Sequence, residues 1–286
     1  MRAVVRRLWW HVRLWLVRIR ARLLRADQRA RIMVLGFEAA KRDDFGGFFR
    51  TVDLVGGLSG WGVCTLAAAA LVYYRAGQAT EAGSLFATAL EEGADDPYVL
   101  KCYGKYLYQE ERFAESLECL KKAVSGCPND SWALAWLGGA YFRMGDTQEA
   151  RRCYAESLRQ GPAESDVGSV YSGLAHAMAR LEDWDEAARC WREAASRLPR
   201  DEEVWYNLGD ALLHIGRYRE AIEALKRNLR LGSQQPDWTL YDIARCYQQL
   251  GDVFRASRFC DKALEHAPDD EDALALKSEL GAALAG

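Results

Sequence analysis

The chain repeats itself. Segments opening at Val63, Pro97 and Ser131 follow one another at a spacing of 34 residues. The third closes at Glu164, and a three-residue insertion, Ser165 to Val167, precedes a fourth opening at Gly168. A fifth opens at Glu202, and one extra residue, Pro236, separates it from a sixth, Asp237 to Asp270. The six units are thus 63–96, 97–130, 131–164, 168–201, 202–235 and 237–270. A unit this short cannot bury an apolar face alone, so a sustained period of this length demands that neighbours stack.

Equivalent offsets carry equivalent side chains. The eighth position reads Ala70, Gly104, Gly138, Ala175, Gly209 and Ala244; the twentieth reads Ala82, Ser116, Ala150, Ala187, Ala221 and Ala256. The twenty-seventh reads Ala89, Ala123, Ser157, Ala194, Asn228 and Ala263, where only Asn228 is not small. Small residues at fixed offsets let two antiparallel helices approach closely. Bulky Phe86, Leu120, Tyr154, Trp191 and Leu225 at the twenty-fourth position fill the space beside them. Gly77, Gly145, Gly216 and Gly251 supply the turn within a unit. Pro128, Pro162, Pro199 and Pro268 stop the second helix of four units.

These features resemble the tetratricopeptide repeat (TPR) family. Trp205, Leu208-Gly209, Gly216, Tyr218, Glu220-Ala221 and Leu225 nearly spell its pattern in the fifth unit. Leu137-Gly138, Tyr141, Gly145-Asp146, Glu149-Ala150, Tyr154 and Pro162 do so in the third. The resemblance covers residues 63–270 and implies an all-α fold, a right-handed α-solenoid of tandem helix-turn-helix repeats. Residues 271–286 read as a final helix capping the apolar end of the stack. Looser packing is expected at Ala69, where a larger residue is usual, and where the fourth unit opens on Gly168-Ser169.

The resemblance further implies that first-helix offsets 2, 5, 9 and 12 face a concave ligand-holding surface. Those offsets carry Tyr74; Tyr98, Lys101, Lys105 and Tyr108; Trp132 and Phe142; His176; Tyr206 and Asp210; and Trp238, Tyr241 and Arg245. Trp136 and Arg143 lie beside them. Aromatics with a few charges suit an amphipathic helix or an extended peptide, and Lys101 with Lys105, one helical turn apart, suits an acidic segment. Aromatics at offsets 5 and 12 also serve the family's own packing; Trp132, Trp136 and Trp238 exceed that preference. The Lys and Asn pattern by which chaperone-binding members hold a terminal carboxylate is not reproduced. Asp210 and Arg245, at one offset in adjacent repeats, are placed to pair with each other.

A net charge of −3 conceals an asymmetry: residues 1–62 hold 13 Lys+Arg against 5 Asp+Glu, a net of +8. Read as a helix, residues 1–25 gather Val5, Leu8, Val12, Trp15, Leu16, Ile19 and Leu23 into a sector about 100° wide. Arg2, Arg6, Arg13 and Arg20 flank it on one side, and Arg7, Arg18, Arg22 and Arg25 on the other. With Trp9, Trp10 and Trp15, this is the arrangement of a helix lying in an anionic membrane interface. Trp10 and Val17 on the otherwise polar side make the helix partly two-faced; the alternative reading is a soluble interaction subunit of a larger complex whose head docks on protein. Nucleic acid is disfavoured as a partner, because an ordered apolar stripe has no use on a phosphate backbone. Residues 26–62 read as a helical linker containing a degenerate extra repeat.

Leu54 to Tyr74 carries no charge over 21 residues, long enough to span a membrane, yet four Gly and four Ala dilute it and its second half keeps the repeat register. None of the eight cysteines forms a C-x-x-C pair, so reduced packing thiols in a reducing compartment are expected. Arg13 and Arg18 break any apolar run that would serve secretion. The expected location is therefore cytoplasmic, peripheral on a membrane face. His11, His176, His214 and His266 are scattered, and no H-E-x-x-H, G-x-S-x-G or P-loop occurs. Glu91-Glu92, Asp95-Asp96 and Asp269-Asp270 fall at helix ends, where capping and helix-dipole interactions account for them. A non-catalytic scaffold or assembly factor without metal or cofactor is the resulting expectation.

Overall fold

The computed structural model describes residues 26–55, 57–58 and 60–285. The basic head, with Arg6, Arg7, Trp9, Trp10, Arg13, Trp15, Arg18 and Arg20, lies outside the described residues. The described chain forms fifteen α-helices and no strand. They are α1 (Ala26–Lys41), α2 (Phe45–Leu54), α3 (Val63–Arg75), α4 (Ala79–Glu92), α5 (Pro97–Gln109) and α6 (Phe113–Gly126). Then come α7 (Ser131–Arg143), α8 (Thr147–Gln160), α9 (Glu164–Arg180), α10 (Trp184–Arg197) and α11 (Glu202–His214). The last are α12 (Tyr218–Leu231), α13 (Pro236–Gln249), α14 (Val253–His266) and α15 (Glu271–Ala285). They form two compact units, one ending at Gly126 and one beginning at Cys127. Each is an all-helical stack of hairpins.

Backbone chemistry sets where each helix starts and stops. Asp96, Asp130, Asp146, Asp183, Asp201 and Asp252 each accept a backbone N–H of the helix they precede, worth about 1 kcal/mol apiece. Pro97 and Pro236 open α5 and α13, where a missing N–H costs nothing. The turn inside a hairpin needs a left-handed residue two positions before its second helix. Gly77, Gly145, Gly216 and Gly251 supply it with φ of 75–89°. Glu111 and Glu182 take the same conformation at φ of 60° and 61°, as does Asp43 between α1 and α2. The first two helices therefore make a hairpin of the same kind.

Between the helices of a hairpin, the small eighth position lies under the bulky twenty-fourth. A Cβ on Gly104 would stand 2.7 Å from Leu120 Cγ, and one on Gly209 would stand 2.6 Å from Leu225 Cγ. Gly138 meets the Tyr154 ring more gently, at 3.2 Å. Polar residues at small positions find hydrogen-bond partners. Ser116 donates to Gly104 O at 2.7 Å, and Ser157 to Ser131 O at 2.7 Å. Asn228, the exception in size, donates its amide to Glu202 O at 2.8 Å and accepts from Thr239 Oγ1 at 2.9 Å. It is fully buried and tied to the helix on either side, which is why this site tolerates a larger residue.

The structure corrects several expectations. The insertion Ser165 to Val167 is helical: α9 begins at Glu164 and runs 17 residues, so the extra residues add about one turn. Gly168 is not loosely packed, since a Cβ there would stand 2.7 Å from Leu198 Cγ. Ala69 is fully buried in a cluster with Met33, Phe48 and Val72. In keeping with the repeat register, Leu54 to Tyr74 is not one helix: α2 stops at Leu54 and α3 starts at Val63. No helix among the described residues is long and apolar enough to cross a membrane. Asp96 and Asp270 do cap helices, but Glu91 and Glu92 close α4 at its C-terminal end. A negative charge there opposes the helix dipole, so the dipole does not explain that pair.

Five cysteines, Cys102, Cys153, Cys190, Cys246 and Cys260, are buried among the helices, and no two cysteines are bonded among the described residues. Burial pushes the Cys102, Cys153, Cys190 and Cys246 thiols up to about 12, which leaves them unreactive packing groups.

Candidate functional site

The second unit contains a cavity of about 290 Å³ walled by α11, α13, α14 and α15. Tyr206 and Asp210 reach it from α11, and Trp238, Tyr241 and Arg245 from α13. These are offsets 5 and 9 of the fifth unit and 2, 5 and 9 of the sixth, the face that carries the groove residues named above. Ala263 and Ala273 leave room between the walls. Trp238 is 51% exposed, an unusual position for so large an apolar ring.

Four further carboxylates line this cavity: Asp237, Asp242, Asp270 and Asp272. Sequence reasoning missed Asp237 and Asp242 because they stand at positions 1 and 6 of the sixth unit, outside the groove offsets. It read Asp270 only as a helix-end residue, and α15 only as a cap. Asp270 does cap α15, accepting Ala273 N–H at 2.7 Å, but the same turn closes the cavity wall. The usable signal was the density of acids from Asp237 to Asp242 and Asp269 to Asp272, facing a stretch with Arg245 as its near base.

Asp242 is the buried centre of the charge pattern, 5% exposed. Tyr206 Oη donates to its Oδ2 at 3.2 Å, and Arg245 pairs with its Oδ1 at 3.2 Å. Arg245 also lies 5.8 Å from the Tyr241 ring centroid. The expected pairing of Asp210 with Arg245 does not form. Asp210 Oδ1 lies 3.6 Å from His214 Nε2 one turn along its own helix, and that imidazole stacks on Trp184 at 3.8 Å. The reason is local: an i,i+3 or i,i+4 partner on the same helix needs no alignment between repeats.

Burial raises the Asp242 carboxyl above its usual range, and the neighbouring Asp210 charge adds to this against Arg245 and Tyr206. Burial likewise raises Asp210, opposed by His214 and Arg245. The Tyr206 hydroxyl is pushed up by burial and then by Asp242 and Asp210. Tyr241 is raised by burial, with Asp272, Asp242 and Asp270 contributing. All four groups hold protons harder than they would in water, as expected in a partly desolvated space of negative potential.

The remaining groove residues are distributed elsewhere. Trp132 and Trp136 on α7 meet edge to face at 5.9 Å. Phe142 stands 6.2 Å from His176, which packs against Trp191 at 4.6 Å. Arg180, absent from the sequence-based set, covers the Phe142 ring at 4.9 Å. Burial lowers His176 below its ordinary range, so it is a neutral packing group at pH 7. Arg143 ends α7, exposed. In the first unit Lys101 Nζ sits 4.8 Å from the Tyr98 centroid, with Lys105 a turn further along α5. Tyr108 packs on Phe113 at 5.4 Å, and Tyr74 meets Tyr106 at 5.2 Å. Among the described residues no group of three or more His, Cys, Asp or Glu is arranged to hold a metal ion.

Stacked helical hairpins bearing a small aromatic cavity define a repeat protein of the binding kind. The chain belongs to the tetratricopeptide-repeat family described by the C-terminal domain of cilia and flagella-associated protein 70, whose family model matches residues 104–285. A general tetratricopeptide repeat model matches residues 67–131. No curated protein matches the chain in sequence. Among solved structures it is similar to YrrB, a TPR protein with an unusual peptide-binding site, at 21% identity and a TM-score of 0.62 over 68% of this chain and 97% of that one. PilF of Pseudomonas aeruginosa matches at 16% identity and a TM-score of 0.64, over 76% and 97% of the respective chains. MamA of Desulfovibrio magneticus RS-1 matches at 18% and 0.54, over 62% and 98%. The chain is thus a tetratricopeptide-repeat protein with the fold of a protein–protein interaction scaffold, a fold typically without catalytic activity.

Proposed function

We propose that this protein is a non-catalytic scaffold or assembly factor that grips a peptide or helix of a partner protein on the groove face of its repeats. The observation that carries the reading is the cavity under Trp238 in the second unit, where five groove-offset residues converge. A rigid hairpin framework supports it, so a ligand meets preorganised side chains and little ordering entropy opposes binding. Affinity capture with intact protein, set beside a Trp132/Trp136/Trp238→Ala variant, tests this. Partners lost only with the variant are the groove's clients, and purified client should bind the variant at least about tenfold more weakly, as truncation of an interface Trp implies. If the variant retains every partner at unchanged affinity, the groove reading is wrong.

We further propose that residues 1–25 attach the protein to the cytoplasmic face of an anionic membrane. The support lies in the sequence: eight Arg and three Trp, no acid, and one apolar stripe. Each Arg contributes about 1 kcal/mol at such a surface. The head peptide should float with anionic vesicles and release at high salt, and deleting residues 1–25 should free the chain from membranes. A head that ignores anionic vesicles would instead be a helix that docks on protein.

A further inference from the structure

We infer that the cavity under Trp238 receives an arginine side chain of the partner peptide, an inference that rests on the groove reading above.

The first ground is size. About 290 Å³ lies just under the roughly 300–1,000 Å³ of sites that take whole cofactors or drug-sized molecules. It suits one long side chain entering from a bound backbone. The second ground is composition. Tyr206, Trp238 and Tyr241 offer aromatic faces, and Trp238 stands half exposed where an incoming group passes. A cation over such a ring is attracted by its quadrupole, and a planar guanidinium stacks on it as well.

The third ground is charge. Five carboxylates and one guanidinium line the cavity. Arg245 and Tyr206 satisfy Asp242, Ala273 N–H satisfies Asp270, and His214 faces Asp210. Asp237 on α13 and Asp272 on α15 make no hydrogen bond or ion pair among the described residues. The cavity thus has negative charge in excess on two of its walls, together with rings suited to a flat cation. A carboxylate or phosphate ligand would meet repulsion here, and a neutral apolar one would leave these charges partly desolvated and unpaired. Arginine satisfies both features at once, since its fork donates to carboxylates while its face stacks. Lysine meets the charge and a ring's quadrupole but offers neither the planar face nor the fork.

Fluorescence polarisation on the full chain can decide, using four pools of labelled, end-blocked hexapeptides. The pools are alike except for one fixed residue: arginine, lysine, citrulline or glutamate. The arginine pool should bind at least about tenfold more tightly than the citrulline and glutamate pools, the yield of one charge-assisted pair, with lysine between. An Asp237→Asn/Asp272→Asn variant should lose most of that preference while its thermal melting falls only slightly, because each change removes one first-turn charge from a helix N-terminus and no side-chain hydrogen bond. If arginine and citrulline bind alike, or if the double variant keeps the preference, the inference is overturned. Binding that ignores charge yet disappears in Trp238→Ala would sink the arginine site and leave the groove standing. No binding by any pool would sink both.

Discussion

The groove face around α5, in the second repeat, and the one around α11 and α13, in the last two, stand on the same framework yet are lined by opposite charge. On α5 the groove offsets hold Tyr98, Lys101, Lys105 and Tyr108, with Lys101 drawn over the Tyr98 ring. On α11 and α13 they hold Tyr206, Asp210, Trp238, Tyr241 and Arg245, and four more aspartates line the same space, Asp237 and Asp242 from α13 and Asp270 and Asp272 from the start of α15. Carboxylates raise a tyrosine at both places, though by different routes. Tyr74 is pushed up to about 12 chiefly by its hydrogen bond to Glu110, a contact made with one carboxylate. Tyr206 is raised chiefly by burial, with Asp242 and Asp210 next. Positions 8, 20, 24 and 27 are occupied by what hairpin packing permits, so they repeat. The groove offsets carry less of the hairpin packing, so they are freer to differ in charge.

If the frameworks are equivalent, damage at the same position should cost the same in both units. Phe86→Ala and Trp191→Ala each empty the twenty-fourth position. Each should cost about 3–5 kcal/mol, seen as lost amide protection in α3–α4 and in α9–α10 respectively. A loss below about 1 kcal/mol in either would show that the unit repacks freely and would break the equivalence. Gly104→Ala and Gly209→Ala should each cost about 1–3 kcal/mol by overpacking against Leu120 and Leu225, measured by denaturant titration. Gly138→Ala, with its gentler contact to Tyr154, should cost less than either.

The difference in surfaces should appear with little change in stability. Lys101→Glu with Lys105→Glu should weaken binding of an acidic probe peptide by about tenfold and cost about 1 kcal/mol or less in stability, since both side chains are half-buried and Lys101 leaves the Tyr98 ring. Unchanged affinity would place the acidic partner elsewhere. The smallest effect concerns Asp210. Its carboxyl is raised on folding, so the folded chain binds that proton more readily than the unfolded chain does. This group therefore favours the fold at low pH, and the contribution is lost as pH rises from the unfolded value near 3.9 through the folded one. In Asp210→Asn that decline should vanish, so its melting temperature should gain on the parent between pH 4 and pH 7. A constant difference across that range would mean that burial does not raise this carboxyl.

Much of the framework was legible because its causes are local. A left-handed turn residue, an aspartate before a helix and a glycine beneath a large side chain act within one hairpin, and each leaves a residue-type signature at a fixed offset. Misread elements had causes that no fixed offset displays. Ser165 to Val167 looked like an insertion between units, yet nothing in those residues opposes a helix, and α9 absorbed them. Gly168 looked loose until Leu198 was found against it. Asn228 looked like an exception until its partners, Glu202 and Thr239, appeared on two other helices.

The candidate site divides along the same line. Five of its residues follow from the repeat offsets, because a helix of 3.6 residues per turn turns offsets 2, 5 and 9 to one face whatever surrounds it. Asp237, Asp242, Asp270 and Asp272 do not follow, because their place in the cavity depends on how α13, α14 and α15 pack together. The order of residues settles the period, the hairpins and the small-against-large contacts, since all of these are interactions across at most one turn or one hairpin. Which charges share a space, and which partner each one takes, is decided only when separate helices close around it.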